Sequence, residues 1–471
     1  MKYYFFTLDG ISLPVAYKLQ QEGNEVIVGM VQDQAELQNN DKPEDPEKKR
    51  KRLSLYSGIF DIKPASELLK QLLAHKEDAR IICDFNSLWV YGEALEKAGY
   101  IGFFPKKEDH EFEADREKAK EFVKQNYPDI KVAEVNEFKS TEDAKKFLED
   151  AENIYVLKGN SDEAKTIVPE TDDIDMAKEM LISALDEYKT DYEKKGFILE
   201  QKIINPIEFT PEIQFFNGVP VMTTVDIENK PLGAENKGVQ TGCSQNLVVK
   251  TELEDKINKI AFPPKVFEMA KERKGLFVWD ISILYDGKDY YFGEFCPQRW
   301  GWDAFITELK MCESVSSYFD KVFAGENPLV DTFGVAVRAF VVREGGVPEE
   351  VEIEGGDNCY IYDLKLKGKK MTTGYTWDTL VAVGSGEDIN TATLEAYEEM
   401  DKNSFAYKYR RPMFDFLSTE YPDSIPNRYI EINHKLFNAP DLEPMDNNAD
   451  LIRYLKQSIR KEVEEEISKY L

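Results

Sequence analysis

The N-terminal part of the chain alternates short apolar runs with segments of helical period. Tyr3–Leu8 is almost continuously apolar and too short for a helix, so it reads as a buried strand. Gly10 interrupts it. Leu13, Val15, Ala16 and Leu19 then recur at helical spacing, and Glu25–Met30 is a second apolar run of strand length. Strand, helix and strand in that order predict the opening of a doubly wound α/β domain. Arg80–Cys83 adds a strand and Trp89–Ala98 a helix. Between them Gln32–Arg52 is polar and reads as a surface loop, ending in the basic run Lys48, Lys49, Arg50, Lys51, Arg52. That run is either a solvated face or a grip on an anion.

Further along, Asp115–Tyr127 places Ala119, Phe122 and Val123 on one helical face. Lys131–Phe138 predicts a strand, Thr141–Ala151 a helix with Thr141 as N-cap, and Asn153–Leu157 a strand ending in Lys158-Gly159. Met176–Lys189 follows as a helix and Phe197–Glu200 as a short strand closed by an acid. From Ile213 to Val249 the pattern is rich in strands, with a turn at Gly218 and a glycine-containing loop over residues 233–242. Pro263–Glu272 is helical. Leu276–Tyr285 and Tyr290–Phe295 flank Asp286-Gly287, a hairpin signal. Residues 334–415 show short strands (Val335–Val342, Cys359–Leu364, Leu380–Val383) and a helix over Ala392–Met400. Beyond Leu417 the chain turns irregular, and a last helix carries Leu451, Leu455, Ile459, Val463, Ile467 and Leu471 as a stripe that needs a partner surface.

Composition narrows the function classes. With 471 residues, 42% of them hydrophobic, the chain holds several domains with sizeable cores. A net charge of −29 opposes general binding to nucleic acid but leaves room for a local phosphate site. Five scattered cysteines without a CxxC pair point to reduced thiols and a cytoplasmic setting. His75, His110 and His434 are far apart, which disfavours a histidine metal site or a Ser–His–Asp triad. Gly10 stands alone, so there is no dinucleotide fingerprint. No apolar run approaches a membrane span, and no signal-peptide pattern opens the chain.

Two features carry chemistry on their own. Lys158 ends a buried strand beside a glycine, where an ammonium can meet a phosphate, although such a lysine is often merely solvated. Asp280 and Glu294 lie on the two arms of the expected hairpin. Carboxylates that converge in this way repel unless a cation sits between them; the alternative is an exposed-face pair.

The segment Ile198-Leu199-Glu200-Gln201-Lys202, followed by Glu208-Phe209-Thr210, looks like the adenine hinge of ATP-grasp enzymes, and Asp280 … Gly293-Glu294-Phe295 looks like their metal-binding hairpin. The helix Glu113–Phe122 with Arg116, the stretch Gly238-Val239-Gln240-Thr241-Gly242, the segment Glu294-Phe295-Cys296 … Arg299-Trp300-Gly301-Trp302-Asp303, and the C-terminal run Gly384–Asp388 … Tyr409-Arg410-Arg411 resemble phosphoribosylamine–glycine ligase in the same order. The resemblance implies an ATP-grasp α/β (α+β) architecture. It comprises an N-terminal doubly wound α/β domain at 1–112, an ATP-grasp domain at 113–330 made of two α+β subdomains (113–200 and 201–330), a small C-terminal α/β domain at 331–415, and an extension at 416–471 ending in the amphipathic helix.

It also implies ATP and Mg²⁺ as cofactors and small-molecule carboxylate and amine substrates joined through an acyl phosphate. Arg116, Lys158, Glu200, Lys202 and Glu208 would bind the nucleotide, Asp280 and Glu294 the metal, and Gly238, Thr241 and Gly242 would form a substrate loop. Arg299 would stabilise the acyl phosphate with Asp303 orienting it. No side-chain nucleophile is required, and the terminal helix is a possible homo-oligomer contact.

The departures fall on the substrate side. The family's GGREH loop is Gly10-Ile11-Ser12-Leu13-Pro14 here, its GPE turn is replaced around Asp84-Phe85-Asn86, and its metal-binding Asn is Cys296, a soft and poor Mg²⁺ ligand. The expectation is therefore a ligase with an altered substrate site. Two alternatives keep the fold. One is an authentic phosphoribosylamine–glycine ligase of purine biosynthesis, with Ser12 and the run at 48–52 replacing the lost phosphate contacts. The other is an ATP-binding module without ligase turnover.

Overall fold

The computed structural model describes residues 1–32, 45–159, 166–169, 171–233, 237–296, 300–341, 350–368, 370–373, 378–405, 408–413 and 424–436. They form two compact units. One comprises Met1–Asp115, Phe209–Ile281 and the chain from Phe295 onward; the other comprises Arg116–Glu208 and Ser282–Glu294.

The first unit is built on a long mixed sheet. Its parallel half runs Ile62–Pro64, Glu25–Met30, Lys2–Thr7, Arg80–Cys83, Ile101–Phe103, each strand parallel to its neighbour. Parallel strands covered on both faces need apolar residues throughout, which is why Tyr3–Phe6 and Ile81–Cys83 are all buried. One face packs Tyr4, Phe6, Ile81 and Cys83 against Leu68 and Leu72 of the helix Ala65–Ala74 and Leu95 of the helix Trp89–Lys97. The strand Leu276–Asp280 joins this half through the Leu276–Phe103 pair. From there the sheet continues antiparallel through Ile207–Phe216, Val219–Gly233, Lys237–Thr251, Phe333–Val341, Asp378–Gly386 and Cys359–Ile361. The helices Asp303–Lys310 and Ile389–Lys402 lie on it.

Several local expectations are corrected here. The basic run is not a loop but the end of a helix, Pro46–Arg52, because Asp45 caps it by accepting from the N–H groups of Glu47 and Lys48 at 3.0 and 2.9 Å. Arg52 is buried, and its guanidinium donates to the carbonyls of Leu8 and Val31 at 3.1 and 2.7 Å. The glycine-containing loop at 233–242 is, in its described residues, the tip of a long β-ribbon: Pro231 pairs Gln240 and Gly233 pairs Lys237. The irregular tail contains a helix, Ile425–Leu436, whose Ile425, Tyr429, Ile432 and Leu436 are buried at helical spacing. Its Pro426 stands in the first turn, where no N–H partner is needed. The stripe from Leu451 to Leu471 lies outside the described residues.

The second unit has an antiparallel sheet in the order Val135–Phe138, Phe197–Gln201, Tyr155–Gly159. Leu157 and Leu199 of that sheet meet Leu148 of the helix Thr141–Asp150 and Leu181 and Leu185 of the helix Ile174–Glu187. Ser140, not Thr141, is the N-cap; Thr141 donates both its N–H and its hydroxyl to Glu193 at 2.9 Å. The hairpin Ile283–Tyr285 with Tyr290–Phe292 turns at Asp286, which accepts from the N–H groups of Lys288 and Asp289 at 2.9 and 2.7 Å. The expected continuous strand Leu276–Tyr285 is broken at Ile281-Ser282.

Candidate active site

In the second unit the strands place cations around one acid. Glu200, near the end of the central strand, receives Lys120 at 3.0 Å and Lys158 from the neighbouring strand. Burial would raise the Glu200 carboxyl, but the two lysines outweigh it and hold its pKa below the usual carboxylate value. Lys120 and Lys158 therefore stand at one spot with a single negative charge between them. Arg116, the expected cation of this helix, is exposed at its first residue, whereas Lys120 lies one turn later on the face that meets the sheet. The i, i+4 spacing of Arg116 and Lys120 was visible in the sequence, but which of the two faces Glu200 was not.

Beyond Glu200 the chain leaves the sheet. Lys202 donates from Nζ to the carbonyls of Pro169 and Thr171 at 2.9 and 3.3 Å, and its N–H bonds the Ile154 carbonyl at 2.7 Å. Lys202 is therefore a brace that shapes the hinge. A cavity of about 500 Å³ opens beside it, with Ile154, Ile174, Ile203 and Ile204 as apolar walls and Glu152, Asp172, Gln201 and Asp286 at its rim. Asn153, Lys202 and Tyr291 complete a lining that mixes isoleucine walls with polar groups.

Glu208 accepts a hydrogen bond from the Ser282 hydroxyl at 2.9 Å. The backbone of Ser282 pairs with Glu294 and Gly293, each at 2.9 Å. Ser282 thus holds the Glu208 side chain close to the segment that carries Glu294. Gly293 makes this possible, because a Cβ there would come within 2.8 Å of the Ser282 hydroxyl. Ser282 was legible only as a polar residue between apolar ones.

In the first unit Asp280 is buried, and one of its oxygens accepts from the Cys296 N–H at 2.8 Å. It stands in register with Glu212, also buried, on the adjacent strand. Glu212 in turn accepts from the Gln214 side chain at 2.7 Å, and Gln214 accepts from Tyr318 at 2.6 Å. Glu294 is exposed and belongs to the second unit. The two carboxylates expected on one hairpin therefore lie on different units, and among the described residues no group of three or more His, Cys, Asp or Glu is arranged to hold a metal.

Asp303, the first residue of its helix, is buried and grips Arg338 through both oxygens; Arg338 also reaches Asp378 at 3.1 Å and stacks on Tyr362. These carboxylates hold the Arg338 guanidinium firmly charged in spite of its burial. Arg338 is a partner the sequence reading missed, although one arginine inside the apolar strand Phe333–Val341 demands a buried acid. Arg299 lies outside the described residues. Gly238 and Gly242 are exposed on the ribbon, and Thr241 donates to the Lys230 carbonyl at 2.6 Å, so these three do not form a separate loop. All five cysteines are free; burial pushes the Cys359 thiol up to about 12 and Cys83 and Cys243 well above their ordinary value. No helix among the described residues is long and apolar enough to cross a membrane.

No protein-family description and no curated protein matches the chain. Solved structures do. Phosphoribosylamine–glycine ligase from Thermotoga maritima superposes with a TM-score of 0.57 at 17% identity, over 87% of this chain and 99% of that one. Phosphoribosylglycinamide synthetase from Anaerococcus prevotii gives 0.53 at 13% identity over 86% and 98%. The biotin carboxylase domain of Hydrogenobacter thermophilus 2-oxoglutarate carboxylase, solved with MgADP, ADP and bicarbonate, gives 0.54 at 12% identity over 86% and 91%. The strand order and these superpositions agree on one architecture: the chain carries the ATP-grasp fold, which it shares with these ligases and carboxylases at 12–17% identity.

Proposed function

We propose that the chain is an ATP-dependent carboxylate–amine ligase that works through an acyl phosphate, like phosphoribosylamine–glycine ligase but with an altered substrate site. The observation that carries this reading is the Lys120–Glu200–Lys158 cluster one residue before a segment, Gln201–Ile204, that lines a cavity of about 500 Å³. The donor set suits ATP. Lys120 and Lys158 have more positive charge between them than Glu200 neutralises, and Arg116 can add to it. Ile203 and Ile204 carry the backbone that a base can meet, and Glu208, already oriented by Ser282, can accept from ribose hydroxyls. When bound, ATP supplies the phosphoryl group that makes a carboxylate reactive toward an amine.

The chain's own groups would position and neutralise. Lys158 and Lys120 balance phosphate charge, Lys202 keeps the segment after the strand in shape, and Asp280 in one unit and Glu294 in the other each carry the hard oxygen donors that Mg²⁺ prefers, which Cys296 lacks. Arg299 is assigned to the acid and its activated form. Gly238, Thr241 and Gly242 are assigned to the substrate side from the ribbon. The division at 112, 330 and 415, an oligomer contact through the terminal helix and a cytoplasmic setting belong to the same proposal. Cys296 at the position of a metal-binding Asn favours one second reading, a nucleotide-binding module without turnover.

The test is ADP release from Mg²⁺–ATP with panels of amino acids and amines, beside thermal unfolding with and without Mg²⁺–ATP and a Glu294→Gln control. Turnover that needs an acid and an amine and is lost in the control supports the ligase. Thermal stabilisation by ATP with no turnover for any pair supports the binding module. No stabilisation and no turnover removes both.

A further inference from the structure

In a doubly wound sheet the loop after the first strand, leading into the first helix, is where backbone N–H groups and the helix N-terminus receive a ligand's phosphate. In this chain the strand Lys2–Thr7 leads through residues 8–12 into the helix Leu13–Gln21. The N–H groups of Leu8, Gly10, Ile11, Ser12 and Leu13 all have acceptors within the fold. Leu8 N–H goes to Asp84 Oδ1 at 3.2 Å, and Ser12 N–H to Asp84 Oδ2 at 3.3 Å. Gly10 N–H goes to the Thr7 hydroxyl at 2.8 Å, Ile11 N–H to Asp9 Oδ1 at 3.1 Å, and Leu13 N–H to the Gly10 carbonyl at 3.0 Å. The Ser12 hydroxyl, which could replace a lost phosphate contact, donates to Asp84 Oδ2 at 2.7 Å.

Asp84 is fully buried at the end of the neighbouring parallel strand. It occupies the place an oxyanion would take. Arg52, the one member of the basic run that reaches this loop among the described residues, is turned onto the carbonyls of Leu8 and Val31. The outer side is closed as well: Gly301 lies so near the loop that a Cβ on it would come within 2.0 Å of the Ile11 carbonyl oxygen.

We infer that Asp84 is a specificity-determining residue, an internal carboxylate that fills the loop's anion cradle and bars phosphate-bearing substrates from it. A phosphate arriving here would find its donors engaged and two carboxylates, Asp84 and Asp9, already in place. A phosphate would have to displace the Asp84 carboxyl from the donors of Leu8 and Ser12 that it already holds. The substrate that approaches this end of the sheet is therefore one without a phosphate. This inference rests on the ligase reading for the word substrate, but its geometry stands apart from the nucleotide site.

The experiment uses the full chain and ribose 5-phosphate as probe, followed by calorimetric titration, with inorganic phosphate as a second titrant. Mg²⁺–ATP stabilisation is measured separately on the same samples, so failure of the nucleotide reading is seen independently. The wild-type chain should show no saturable binding of either probe in the presence of a saturating non-hydrolysable ATP analogue, which occupies any nucleotide phosphate site. Asp84→Ala, which releases the Leu8 and Ser12 donors, and Asp84→Asn, which turns one acceptor oxygen of the cradle into a donor, should each bind ribose 5-phosphate at least about tenfold more tightly than wild type, an affinity gain of about 1.4 kcal/mol. If Asp84→Ala does not fold, Asp84→Asn and the wild-type titration decide. Saturable ribose 5-phosphate binding by the wild type, or no gain in a folded Asp84 variant, would overturn the inference.

Discussion

Replacing Lys158 by Met separates a structural lysine from a phosphate-binding one. The substitution keeps most of the side chain's length and removes its charge. In the ligand-free chain Glu200 retains Lys120 at 3.0 Å, so no buried charge is left unpaired. The Lys158 side chain is 28% exposed and that of Glu200 17%, so the pair is worth little more than a surface salt bridge. The expected loss of stability is about 1 kcal/mol, a fall in Tm of about 2–4 °C for a domain of moderate size. A hydrogen bond to a charged group is worth about 1.5–3 kcal/mol, so ATP affinity should fall roughly 10- to 100-fold. Thermal unfolding of the ligand-free variant measures the first quantity, and calorimetric titration with Mg²⁺–ATP measures the second. A large loss of stability with ATP affinity within twofold of wild type, on the order of 0.4 kcal/mol, would refute the reasoning and make Lys158 a structural partner of Glu200.

Other consequences follow from the same contacts. Arg338→Met leaves Asp303 buried without its guanidinium and should cost about 3–5 kcal/mol in chemical denaturation; Arg338→Lys should recover only part of this, because an ammonium cannot bridge both oxygens of Asp303 and Asp378 together. Gly301→Ala places a Cβ 2.0 Å from the Ile11 carbonyl oxygen at a φ of +88°, and urea unfolding should show a loss of about 2–4 kcal/mol. The pH dependence of stability should carry the mark of Asp84, whose burial, together with the nearby Asp9 charge, raises its pKa from 3.8 to about 7. The folded state then holds a proton that the unfolded state has released, so the stability due to this group is fully present below pH 3.8 and is lost as pH rises to about 7. Denaturation at pH 5 and pH 8 should show a flatter profile for Asp84→Asn than for wild type, by at most about 3 kcal/mol. Glu200 acts in the opposite sense: its lowered pKa gives stability that is present above 4.5 and lost as pH falls through the folded value, a loss that Glu200→Gln should abolish in acid titrations followed by circular dichroism.

Much of the architecture was written in local pattern. Glu25–Met30 and Arg80–Cys83 emerge with the expected bounds because each is a short apolar run opened by a charged residue, Glu25 or Arg80, that marks where burial begins. The Asp286 turn was equally plain, since its side chain bonds its own backbone and needs nothing distant. The strands ending at Lys158-Gly159 and Glu200-Gln201 could be located because charged residues at the ends of short apolar runs stand out, whereas the hinge role of Glu200 rests on the resemblance. Residue order alone also separated the candidate hinge, the expected metal pair and the altered first loop.

What the sequence could not decide depended on partners far along the chain. Arg52 looked like one more residue of a basic run, yet the carbonyls of Leu8 and Val31 draw it into the interior. Arg116 and Lys120 share a helix, and only the placement of the sheet determined that Lys120 meets Glu200. Asp280 and Glu294 seemed to be arms of one hairpin until the break at Ile281-Ser282 assigned them to separate units. Asp84 could be read as a changed residue, but not as the carboxylate that consumes the donors of residues 8 and 12. Apolar periodicity fixes which residues are buried because burial is a property of each residue in turn. Which charge meets which is a pairwise property across the fold, and only the tertiary structure determines it.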